Sequence, residues 1–121
     1  MFEVGDELDA GQTRIDAPSF SCRVVTPRGE VDVHTAPMLR QAISDVLEDP
    51  QVDRLVIDLS HTTFLDSSAL GVLIGALKRM REREGALGVV EPTAAIRRIF
   101  EITALDRVLD LHGTLEEALR A

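Results

Sequence analysis

The chain has 121 residues, 45% of them hydrophobic and 28% charged, which suffices for one hydrophobic core and leaves no room for a second. Its formal net charge of −8, from 13 Lys and Arg against 21 Asp and Glu, argues against a nucleic-acid partner, because phosphate backbones are met by clustered cations. With no Trp, no Tyr and four Phe residues it also lacks the stacking platforms that single strands and sugars need.

Residues 1–18 are acidic and turn-rich, with Gly5, Gly11 and Pro18, and are expected as a frayed extension or a weak edge strand ahead of one domain over residues 19–121. The start carries neither a positive cluster nor an apolar run, and no later stretch nears the ~20 residues of a membrane span. A soluble, cytoplasmic chain without membrane insertion is the expectation. Residues 20–26 read as a strand that ends at the turn signal Pro27-Arg28-Gly29. The lone cysteine, Cys22, lies inside that run and reads as a small buried hydrophobe rather than a disulfide partner.

Thr35 looks like the cap of a helix over residues 36–48, with Pro37 in its first turn and Leu39, Ala42, Ile43, Val46 and Leu47 at helical spacing. Leu55-Val56-Ile57-Asp58-Leu59 is nearly all apolar, as in a central strand buried on both faces. A loop around residues 61–65 leads into a second helix over residues 67–83, ended near Gly85. A strand over residues 86–90, a helix over 93–102, a strand over 108–111 and a closing helix over 114–120 complete the order. This alternation predicts an α/β domain with a small mixed sheet of four to five strands and about four helices.

The segment from Leu65 to Leu77 is the most informative. At about 100° per residue, Leu70, Leu73, Ile74 and Leu77 share the expected core face, while Ser68, Gly71, Val72, Gly75 and Arg79 gather where a solvated helix shows charges. Two interior glycines cost about 1 kcal/mol each against alanine. They fit either a smooth partner surface with Val72 as an exposed apolar contact, or tight packing of this helix on its own sheet. Ser67 stands at the helix start, where free N–H groups and the dipole favour an anion, although the neighbouring Asp66 repels one. Asp-Ser-Ser before a helix also reads as simple capping.

Phe64-Leu65-Asp66-Ser67-Ser68-Ala69-Leu70-Gly71-Val72-Leu73 resembles the phosphorylation-site motif of the STAS domain anti-sigma factor antagonists. Gly29-Glu30-Val31-Asp32 with Thr35-Ala36 resembles the family's loop before its first helix, residues 55–59 its central strand, and Ile96, Phe100 and Leu105 its third helix. The resemblance covers roughly residues 20–119 and implies the STAS fold. It also implies phosphorylation of Ser67 by a partner that is both anti-sigma factor and serine kinase of the GHKL type. The unphosphorylated form binds that kinase and frees the sigma factor, and a PP2C-type phosphatase restores it. Asp32 is placed near the serine by the same resemblance, and it also reads as a turn or helix-capping aspartate. The expected contact surface is Asp32, Asp66, Ser68, Gly71, Val72 and Gly75 beside Ser67.

Ala69 and Ala104 stand where the family usually has glycine; Ala69 adds a methyl beside the serine. Two other readings compete with this one. In the first, Ser67 with His61 or His34 and Asp58 forms a nucleophile, base and orienter, but no Gly-x-Ser-x-Gly elbow, Walker loop or metal-ligand cluster accompanies them. No catalytic activity, cofactor or metal is therefore expected. In the second, the domain is never phosphorylated and serves as a STAS scaffold, such as the small cytoplasmic subunit of a lipid-transporting ABC system or part of a stress-signalling assembly.

Overall fold

The computed structural model describes residues 6–7, 13–91 and 93–121. Five strands, β2 (Arg14–Asp16), β3 (Cys22–Thr26), β5 (Arg54–Asp58), β7 (Ala86–Val90) and β8 (Asp110–His112), form the body of a mixed sheet. The two-residue β1 (Asp6–Glu7) pairs antiparallel with β2 at its edge. From β3 onward the neighbours β5, β7 and β8 are all parallel, so each needs a crossover, and α1 (Ala36–Val46), α2 (Ser67–Glu82) and α3 (Ala94–Ile102) lie in those crossovers.

Alternation along the strands divides the interior in two. Val25, Leu55, Ile57, Leu87 and Val89 point into the main core with Leu39, Ile43, Leu73, Met80, Ile96 and Phe100 from the helices. Cys22, Val24, Val56 and Val90 face the other way and are met by Ala118 of α4 (Leu115–Arg120). Burial raises the pKa of the Cys22 thiol, in keeping with a small packed hydrophobe.

Two short segments expected as turn and loop are strands. β4 (Gly29–Val31) and β6 (Thr62–Leu65) pair in parallel as a ladder of their own, with Glu30 opposite Phe64 and Val31 opposite Leu65. Each takes its extended form from the other, a non-local pairing that local propensity does not encode. Likewise the last strand starts at Asp110 rather than 108, because a 3-10 turn over Leu105–Arg107 continues through the Leu109 N–H to Leu105 carbonyl bond of 2.9 Å.

Helix ends follow their chemistry. Thr93 and Thr114 accept the N–H groups of Ile96 and Glu117 as side-chain caps. Thr35 occupies the cap position of α1 without capping it; its hydroxyl instead donates to Glu30 O at 2.9 Å and accepts the Asp32 N–H at 2.9 Å. After α2, Glu84 takes the left-handed conformation at φ 58°. Gly85 is needed for a different reason: a Cβ there would lie 2.7 Å from the Asp53 carbonyl oxygen.

Candidate functional site

The ladder places the site. Both β4 and β6 run out at the same end, and the Asp66 N–H donates to Val31 O at 3.2 Å, so the Asp32 turn and the start of α2 are held side by side. Asp66 is the N-cap: its Oδ1 accepts the N–H groups of Ser68 at 2.8 Å and Ala69 at 3.1 Å. Ser67 follows as the first helical residue and is exposed, while Ser68 is half-buried.

Asp32 organises the neighbouring turn. Its Oδ1 accepts the His34 N–H at 2.9 Å and the Thr35 N–H at 3.1 Å, and its carbonyl accepts the Ala36 N–H at 2.7 Å. These bonds, the His34 N–H foremost, hold its carboxyl below the ordinary carboxylate value. The turn-capping role and the position beside the serine helix therefore coincide in one residue.

The faces of α2 differ from the helical projection. Val72 is 4% exposed and belongs to the core, whereas Ile74, expected inside, is 46% exposed. The interior stripe is Ala69, Val72, Leu73, Ala76 and Met80. The alanines let the helix axis approach its neighbours closely, and this turns the helix so that the bulkier Ile74 falls to its flank while Leu70 and Leu77 are only partly buried. The Ala69 side chain is fully buried and does not cover the exposed Ser67.

Gly71 and Gly75 are exposed, and a Cβ added at either would meet nothing within 4 Å. Packing of α2 on its own sheet therefore does not require them. They floor a groove of about 320 Å³ between α1 and α2, bordered by Arg40, Ser44 and Arg79. The groove's walls are fixed at both ends. Near Ser67 the β4–β6 ladder sets the helix starts. At the far end Arg83, just past α2, donates to the carbonyls of Leu47 at 2.6 Å, Val52 at 2.8 Å and Asp49 at 3.1 Å, just past α1.

Two apolar side chains near the site were missed by the sequence reading. Val33 is 61% exposed in the Asp32 turn and Phe64 48% exposed on β6. An apolar residue between Asp32 and His34 in an otherwise polar turn was the available signal. Of the alternative catalytic set, the Asp58 carboxylate is taken by the N–H of Ser60 at 3.0 Å and by its hydroxyl. Among the described residues no hydrogen bond links Ser67 to His34, His61 or Asp58. None of the described helices is long and apolar enough to cross a membrane.

An α/β domain with this crossover pattern and an exposed serine at a helix start is matched by the STAS domain model over residues 17–118, and the chain belongs to that family. The anti-sigma-B factor antagonist of Listeria monocytogenes is 35% identical over 83 residues, covering 69% of this chain and 72% of that protein. The crystal structure of an anti-sigma factor antagonist from Mycobacterium paratuberculosis is 38% identical and superposes with a TM-score of 0.80, over 89% of this chain and 90% of that one. The phosphorylated form of the Bacillus cell fate determinant SpoIIAA, 22% identical with a TM-score of 0.70 over 89% of this chain and 96% of that one, shares the fold.

Proposed function

We propose that this protein is an anti-sigma factor antagonist. In its unphosphorylated form it binds an anti-sigma factor that is also a GHKL-type serine kinase, in the cytoplasm, and so releases the sigma factor. Phosphorylation of Ser67 switches it off, and a PP2C-type phosphatase switches it on again. The observation that carries this reading is the exposed Ser67 at the first position of α2, set by the ladder beside the Asp32 turn. Relatives named as anti-sigma factor antagonists support it, as does a neighbour of the same fold known in a phosphorylated form.

The chain's part is that of substrate and ligand rather than enzyme. Among the described residues no hydrogen bond joins Ser67 to a base, and on this reading the kinase activates its hydroxyl. A phosphoryl group there adds a charge of about −1.5 to −2. The Ser68 and Ala69 N–H groups, the natural receivers of an anion at a helix start, are already bonded to Asp66. The added charge thus faces outward, into the contact surface formed by Asp32, Asp66, Ser68, Gly71 and Gly75. Val33 and Phe64 supply the exposed apolar contacts there in place of the buried Val72. Complex formation with the dianion present must strip its water, which disfavours binding.

The test is incubation of the purified protein with the cognate GHKL kinase and ATP, followed by mass spectrometry. One phosphate on Ser67 is expected, and Ser67→Ala should lose the label while still binding the kinase. Phosphate on Ser60 or Ser68 instead, or label appearing without any kinase, refutes the reading. Absence of label with the kinase fully active would leave the domain as an unphosphorylated STAS scaffold.

A further inference from the structure

The groove between α1 and α2 extends the Ser67 surface, and its chemistry is specific. Its floor is Gly71, Gly75 and Ala76, with Ile43 and Val72 beneath, so a partner surface can approach the α2 backbone closely there. Arg40 and Arg79 stand on its rims, and both are exposed. Among the described residues neither guanidinium enters a hydrogen bond or ion pair, in contrast to Arg23, Arg83 and Arg97.

The two cations are not side by side. The helices leave the ladder together and are joined again at their far ends by Arg83, so they run in the same direction. Arg40 is the fifth residue of α1 and Arg79 the thirteenth of α2. At about 1.5 Å per residue, the offset along the groove is roughly 12 Å counted from the helix starts and roughly 5 Å counted back from the ends that Arg83 joins, so the two cations lie about one to two turns apart. In a chain of net charge −8, two unpaired arginines at the ends of one groove are a local reversal of sign.

We infer that this groove docks an acidic α-helix of the partner protein, with carboxylates about one to two turns apart and small side chains between them. A helix presents residues four to seven apart on one face at a spacing of roughly 6–10 Å, which falls within the Arg40 to Arg79 offset. Small side chains in the intervening turn let its backbone approach Gly71 and Gly75, the arrangement that two open glycines permit and that a methyl at either position blocks. This inference rests on the proposed function, whose kinase is the partner in question, and it adds the α1 wall and the charge pairing to the Ser67 surface.

Isothermal titration of the purified kinase with the unphosphorylated full chain tests it. The double variant Arg40→Gln, Arg79→Gln should weaken binding about tenfold, and Arg40→Glu, Arg79→Glu should weaken it further by setting like charges opposite each other. Arg40→Lys, Arg79→Lys should restore most of the affinity. Arg81→Glu, on the same helix outside the groove, changes net charge by as much as the double Gln variant and should shift affinity no more than about twofold. Circular dichroism melts of each variant establish that the fold is kept. Equal weakening by Arg79→Glu and Arg81→Glu overturns the groove, as does unchanged binding in both double variants while Ser67 is still labelled. If wild-type protein neither binds nor is labelled by the kinase, the proposed function fails and takes this inference with it.

Discussion

Replacing Gly71 or Gly75 with alanine should make the protein more stable, and replacing Gly85 with alanine should make it less so. The first two sit inside α2, exposed, with open space where a methyl would go. Each substitution therefore adds helix propensity without collision, a gain of about 0.8–1 kcal/mol. For a domain of 121 residues, unfolding entropy of roughly 2.1 cal/mol/K per residue converts 1 kcal/mol to about 4 °C in Tm. Gly85 has the opposite prospect. Its added Cβ would stand 2.7 Å from both the Asp53 carbonyl oxygen and Met80 Cε. Met80 can swing away, but the carbonyl is tied by the Ala86 N–H at 2.9 Å, so the backbone must shift, at about 1–3 kcal/mol. Thermal and urea melts of the three variants read the signs directly. If Gly71→Ala and Gly75→Ala destabilise as Gly85→Ala does, both glycines make internal contacts and the reasoning for an open groove is wrong.

Asp66→Ala removes two N–H acceptors and a charge at the N-terminus of α2, and should cost about 1–2 kcal/mol by urea melt; Asp66→Asn, which keeps the acceptor, should cost clearly less. Ala104 adopts the left-handed conformation at φ 61°, so Ala104→Gly should raise stability by about 0.5–1 kcal/mol, and a fall in Tm would refute that. The Asp32 carboxyl is held below its ordinary value of 3.8, so its bonds to the turn are fully present above that value and are lost only as the pH falls through the lower folded value. The side-chain carboxyl carbon resonance of Asp32 should accordingly titrate with a midpoint below 3.8, and a midpoint at or above that value would contradict the geometry.

What the sequence disclosed depended on whether a segment's structure is decided locally. The apolar runs Leu55-Val56-Ile57 and Leu87 to Val90 could be read as buried strands because both of their faces are covered. The span of α2 was equally readable, whereas the side-chain cap was expected at Thr35 and is made instead by Thr93 and Thr114, which the sequence placed inside their helices. β4 and β6 were not, since three and four residues of mixed character become strands only through each other. Ser67, Asp66 and Asp32 carried recognisable patterns, but their juxtaposition depends on that same ladder. The facing of α2 was misjudged for a separate reason. The projection weighted large side chains, whereas Ala69 and Ala76 set how closely the helix sits, which drew Val72 in and left Ile74 out. Arg79 was legible on the outer face of α2, but its relation to Arg40 was not, because that is set by how the two helices are tied at both ends.

The double acceptance by Asp66 also bears on timing. With the first turn of α2 already capped, a group added to Ser67 finds the Ser68 and Ala69 amides occupied and has no helix to nucleate. On the proposed reading, modification thus changes what the surface presents while the backbone beneath stays as it was. A switch of this kind carries no refolding lag. Its response speed is set by the turnover of the kinase and phosphatase and by the lifetime of the complex, and successive cycles begin from the same conformation.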